Sequence, residues 1–92
     1  MTKVIYNRTA AGSLYFEIEN HAGGEACVVI TTAVNVLVLL MDKYGIPPYA
    51  YEEGRVKYEI ERSSEEIGMI FEAVMELIKQ AEEQYPGRMK VY

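Results

Sequence analysis

Ninety-two residues with half hydrophobic and a quarter charged side chains describe one folded domain, too short for a second core and too apolar for a disordered chain. A net charge of −5 argues against a phosphate-binding surface, so direct nucleic-acid binding is not expected and a cationic partner fits better. A single cysteine excludes an intramolecular disulfide and a thiol-based zinc site, which together point to a reducing cytoplasm.

The opening residues Met1 to Arg8 are broken by charge too early to supply the apolar stretch of an export signal, and export by that route is not expected. Lys3 to Asn7 and Leu14 to Glu19 read as two strands. In the second, Leu14, Phe16 and Ile18 alternate with Tyr15, Glu17 and Glu19, the period of a half-buried sheet. Thr9 to Ser13 joins them as a hairpin. From Ala26 to Tyr44 the pattern becomes a long apolar run closed by Gly45 and Pro47-Pro48. It exceeds the usual strand and falls short of the ~20 residues that span a bilayer, so it predicts a buried helix and no membrane segment. Its β-branched residues favour strand by propensity, so length and stop signals decide the assignment. A helix apolar nearly all round needs cover on more than one side, by the sheet, by a second helix or by another subunit, so a homodimer is one of the expectations.

After the proline turn, Arg55 to Glu61 alternates Val56, Tyr58 and Ile60 with Lys57, Glu59 and Glu61 and reads as another one-sided strand. Ser63-Ser64-Glu65-Glu66 then predicts a capping box, Ser63 supplying the cap oxygen and Glu66 reaching back. The second helix keeps Ile67, Ile70, Phe71, Val74, Leu77, Ile78, Ala81 and Tyr85 on one face until Pro86-Gly87. Arg88 to Tyr92 can add a last strand. The expectation is a single α+β domain over 1–92, order β-β-α-β-α-β, with a mostly antiparallel sheet and two helices.

Chemistry concentrates between His21 and Cys27, the sole histidine and the sole cysteine. The thiol falls in the first turn of the first helix, where the macrodipole and unpaired backbone N–H groups favour thiolate. An imidazole across the loop can deprotonate that thiol and later protonate a leaving amine. Gly23 and Gly24 permit close backbone approach and, with Glu25, form the candidate substrate-binding segment; nearby N–H groups can hold an oxyanion. Glu25 either opposes the thiolate or orients His21, and both remain open. A lone cysteine is also commonly a small buried hydrophobe, and a redox-responsive thiol is a further reading. No metal or other cofactor is expected. Tyr44, Tyr49, Tyr51 and Tyr58 cluster near the proline turn and line a peptide groove or simply pack. Thr31 and Asn35, a turn apart on the apolar helix, mark a polar contact or a dimer register.

The frame Ile18-Glu19-Asn20-His21-Ala22-Gly23, followed by Cys27-Val28-Val29-Ile30-Thr31 at the head of an apolar helix, resembles the ribosomal-processing cysteine protease (Prp) family. The end Ala81-Glu82-Glu83-Gln84-Tyr85-Pro86 with Met89-Lys90-Val91 resembles that family's closing helix, Tyr-Pro stop and terminal strand. The resemblance implies a homodimeric cytoplasmic endopeptidase with His21 and Cys27 as its catalytic pair. Its implied substrate is the N-terminal extension of a large-subunit ribosomal protein, a basic partner for an acidic chain. The sequence departs from the family in the connection from His21 to Cys27, which is cut from about a dozen residues to five, Ala22 to Ala26. Asn20 replaces a glycine, Gly24 an aspartate, and Val28 and Val29 replace small residues. The alternative is therefore a degenerate Prp-like dimer that binds a ribosomal protein or peptide without cutting it.

Overall fold

The computed structural model describes residues 2–19, 25–52, 55–87 and 89–91; the side chains of 25–27 and 89 lie outside that description. Its elements are β1 (Thr2–Arg8), β2 (Leu14–Glu19), α1 (Glu25–Lys43), β3 (Ala50–Glu52), β4 (Arg55–Ile60), α2 (Glu65–Gln84) and β5 (Met89–Val91). Among the described residues the strands form one sheet in the order β3-β4-β2-β1-β5. The β1–β2, β2–β4 and β3–β4 pairs are antiparallel; β1 and β5 run parallel. The single parallel pair follows from α2, which carries the chain back along the sheet before β5 begins, as parallel pairing requires.

The expected α+β fold and element order are present, with the addition of the three-residue β3. It follows the prolines too closely, and is too short, to carry a period of two; pairing with β4 holds it, helped by Tyr49 N–H donating to the Lys57 carbonyl at 2.8 Å. The inward face of the sheet supplies Val4, Leu14, Phe16, Ile18, Val56 and Tyr58 to a core closed by Ile30, Leu37 and Met41 of α1 and Ile67, Phe71 and Ile78 of α2. Burial of that face of α1 explains how a β-branched segment becomes helix: packing outweighs an intrinsic preference of only a few tenths of a kcal/mol per residue. The helix stops at Gly45, whose φ of 73° is the left-handed conformation, with Ile46 N–H donating to the Met41 carbonyl at 2.9 Å.

The start of α2 differs from the expected capping box. Ser64, not Ser63, is the cap, its hydroxyl accepting from Ile67 N–H at 3.2 Å. The Ser63 hydroxyl is engaged elsewhere, donating to the Gly12 carbonyl at 2.7 Å and accepting from Arg8 Nε at 3.0 Å. Glu66 does not reach back but accepts a hydrogen bond from the Tyr44 hydroxyl. The β1–β2 turn is thus pinned to the head of α2. Gly68 belongs to this joint: the Arg8 guanidinium lies where a side chain would stand, with Cζ 2.5 Å from the ideal Cβ position. Ser64→Ala is expected to cost about 1 kcal/mol of unfolding free energy. Urea titration tests this, and an unchanged midpoint would remove Ser64 from the cap.

Candidate functional site

Cys27 stands in the first turn of α1, two residues after Glu25 opens it. The residue thus falls in the first turn of the helix, where the sequence pattern places it. There the leading N–H groups have no intrahelical acceptor and the positive end of the macrodipole is concentrated. His21, Gly23 and Gly24 lie outside the described residues, as do the side chains of Glu25 and Cys27. The described structure therefore neither joins nor separates the proposed pair.

At the end of the sheet where β2 finishes, Glu19 is paired in register with Arg55, and Arg55 with Glu52. Arg55 grips both neighbouring strands. Its Nε and Nη2 each lie 2.9 Å from Glu17 Oε2, and Nη1 lies 3.2 Å from Glu52 Oε1. The Tyr15 hydroxyl donates to Glu17 Oε1 at 3.0 Å. Glu17 stands on the polar side of the β2 alternation, yet it is only 9% exposed, because these groups close over it. Beside it Lys57 Nζ sits 5.1 Å from the Tyr15 ring and 4.9 Å from the Tyr49 ring, a cation held between two aromatic faces. Sequence reasoning missed this clamp: Glu17 and Arg55 are 38 residues apart, and only strand register brings them together.

Burial alone would raise the Glu17 carboxyl, but the Arg55 and Tyr15 hydrogen bonds outweigh it and hold the carboxyl below its ordinary range. A lowered folded pKa stabilises the fold above the unfolded carboxylate value, and that contribution is lost as pH falls through the folded value. Wild type should therefore lose stability relative to Glu17→Gln as pH falls below about 4. Urea midpoints of the two proteins measured across that range test this; parallel profiles would contradict it.

Of the four tyrosines near the proline turn, Tyr58 takes the packing alternative. Tyr58 is fully buried, its ring edge-on to Phe71 at 5.5 Å, and burial pushes its hydroxyl up to about 12. It points into the core because it shares the inward register with Val56. Tyr44, Tyr49 and Tyr51 are exposed. Asn35 is also exposed on α1. Among the described residues no three or more His, Cys, Asp or Glu side chains converge as a metal site, and no helix is long and apolar enough to cross a membrane.

No protein-family model matches the chain, and no curated protein matches it. Solved structures do. The essential ribosomal processing protease Prp of Staphylococcus aureus, in complex with a covalently linked product peptide, superposes with a TM-score of 0.83 over 99% of this chain and 97% of that one. This is the Prp fold. Identity to that Prp structure is 15%, and the same protease with a substrate peptide gives a TM-score of 0.81 at 15% identity, over 100% of this chain and 98% of that one. SMU.848 from Streptococcus mutans gives 0.72 at 23% identity, over 99% and 95%. What the chain shares with Prp at these identities is its architecture from end to end.

Proposed function

We propose that the chain is a Prp-like cysteine endopeptidase, working as a homodimer in the cytoplasm and removing the N-terminal extension of a large-subunit ribosomal protein. One observation carries the reading: the chain's only cysteine lies in the first turn of the first helix of a fold shared throughout with a protease solved with peptide bound.

Cys27 is the nucleophile and His21 the acid and base. The positive end of the helix favours the thiolate of Cys27, and the imidazole of His21 takes its proton. The thiolate attacks the peptide carbonyl carbon and forms a tetrahedral oxyanion, for which unpaired backbone N–H groups at the head of α1 are the donors. The imidazolium of His21 donates its proton to the leaving amine as the C–N bond breaks, leaving a thioester on Cys27. Water, deprotonated by His21, then hydrolyses the thioester, releasing the carboxylate product and restoring the thiol. Glu25 and the overall negative charge favour a cationic peptide.

The five-residue connection between His21 and Cys27 favours one second reading, a dimer that binds the same tail without cutting it. Incubation with a synthetic ribosomal-protein tail, followed by mass spectrometry, separates the two. A truncated pair of products supports the protease; intact peptide with saturable binding supports the binding module and overturns the enzyme.

A further inference from the structure

Strand β1 has seven residues and β5 only three, and their register pairs Thr2, Lys3 and Val4 with Met89, Lys90 and Val91. Among the described residues nothing pairs with that side of β1 over residues 5–8. The hairpin fixes which backbone groups stand there. Thr9 N–H donates to the Ser13 carbonyl at 2.9 Å, so Thr9 faces β2, and by antiparallel alternation Asn7 and Ile5 face it as well. Tyr6 and Arg8 therefore direct their N–H and C=O groups to the open side, where a strand laid beside β1 would take them. The stretch is accessible: Ile5, Tyr6 and Arg8 are half-buried and Asn7 is exposed.

Tyr6 also lines a recess of about 500 Å³, together with Met69, Glu72, Ala73, Glu76 and Lys79 of α2. Val74 and Leu77 line the groove toward α1, so this recess lies on the other flank of α2, toward the β5 edge of the sheet. No described residue of β5 lines it. A strand along residues 5–8 would turn alternate side chains to the inner face that carries Tyr6, and so into the recess. What fits there is an apolar stem with a cationic tip. Met69, Ala73 and Tyr6 supply apolar contact, and Glu72 and Glu76 outnumber the ammonium of Lys79. The whole of α2 carries six glutamates and one lysine, so its field favours a cation. The Arg8 guanidinium is engaged elsewhere, with Ser63 Oγ at 3.0 Å and the Ser64 carbonyl at 3.2 Å. The Tyr6 hydroxyl is buried with no partner among the described residues, and burial, then the Glu72 charge, hold its pKa above the ordinary value. An ammonium or guanidinium brings donors that the phenol oxygen and the carboxylates can accept.

We infer that residues 5–8 of β1 bind an extended basic peptide as an added strand, its alternate Lys or Arg side chains entering the recess against Glu72 and Glu76. Main-chain pairing with Tyr6 and Arg8 supplies affinity independent of sequence, and the recess selects cations at every second position. The opposite edge, β3, is only three residues long, a length that resists pairing. The site lies at the hairpin end of the sheet, where Arg8 pairs with Leu14, about 17 Å along β2 from the end that leads to His21 and Cys27. It does not depend on the chain being a protease.

Three labelled peptides of about ten residues test this: one alternating lysine with valine, one alternating glutamate with valine, and the basic one N-methylated throughout. Fluorescence anisotropy measures binding, and hydrogen exchange of the Tyr6 and Arg8 amides, followed by NMR, reads main-chain pairing. The basic peptide is expected to bind saturably and to slow both amides at least about tenfold, and the other two to bind at least about tenfold more weakly. The double variant Glu72→Gln, Glu76→Gln should weaken the basic peptide about fivefold, as the loss of two partly exposed ion pairs would. Ala73→Phe, which fills the recess and leaves its charge, should weaken it at least as much. All three positions are exposed, so the variants should fold, and circular dichroism checks that they do. No saturable binding up to about 1 mM overturns the site, as does exchange at Tyr6 and Arg8 that the basic peptide leaves unchanged. Equal binding of the acidic peptide overturns the cation preference, and equal binding of the N-methylated one overturns the added strand. Protection of both amides that rises with protein concentration without peptide would assign the edge to a second copy instead. Cleavage of the ribosomal-protein tail by a chain that ignores the basic peptide would reject this site and leave the protease reading standing; binding here without cleavage would do the reverse.

Discussion

Cys27→Ala is expected to leave the chain folded and to lower cleavage of the ribosomal-protein tail by at least about a thousandfold, since no other side chain can supply the thioester intermediate. The substitution removes one sulfur at the first turn of α1, a place that tolerates alanine by propensity. Thermal unfolding should therefore change little while the product peaks vanish. His21→Ala should cost about a hundredfold to ten-thousandfold, the usual worth of a positioned acid and base. It should also move the pH at which the thiol becomes alkylatable, because the thiolate loses its imidazolium partner. Undiminished cleavage by Cys27→Ala would end the protease reading. A thiol titration identical in wild type and His21→Ala would separate the histidine from the cysteine.

Phe71→Ala is expected to be the most damaging single change to the fold. Phe71 is fully buried where the sheet and α2 meet. Its ring stacks on Tyr6 at 6.4 Å and receives Phe16 and Tyr58 edge-on, each at 5.5 Å. Truncating a buried phenylalanine costs about 3–5 kcal/mol, through lost transfer energy and the cavity left behind. A domain of this size holds roughly 5–14 kcal/mol in all, so the variant should retain half or less of its stability at the lower end. The orphaned aromatic edges add to the loss, since such pairs contribute about 1 kcal/mol beyond area. Urea denaturation with linear extrapolation measures it. A loss below about 1 kcal/mol would mean that the core collapses around the gap and that Phe71 is not its centre. Leu77→Ala, on the exposed rim of α2, should cost far less.

Local pattern made most of the architecture legible. Alternation in Leu14 to Glu19 and in Val56 to Ile60 depends only on which face of a strand meets the core, and both strands appear where the period places them. The two helices end at Gly45 and at Tyr85-Pro86 for equally local reasons, a left-handed residue and a residue lacking a backbone donor. The position of Cys27 in the first turn of α1 follows from the same reading, and the resemblance to Prp agrees with the fold shared with that protease.

Tertiary structure decided what depends on partners distant in the chain. Ser63 has the right chemistry to cap α2, but Gly12 and Arg8 take its hydroxyl, and the cap passes to Ser64. Glu17 has the pattern of a solvated residue, and Arg55 and Tyr15 seal it. Tyr58 belongs by sequence to an aromatic cluster and by register to the core, because one strand position sets the side of the sheet for every residue that follows. The apolar length of α1 is plain in the sequence. Which side of it the core leaves open, from Val28 to Leu39, appears only once α2 and the sheet have covered the rest.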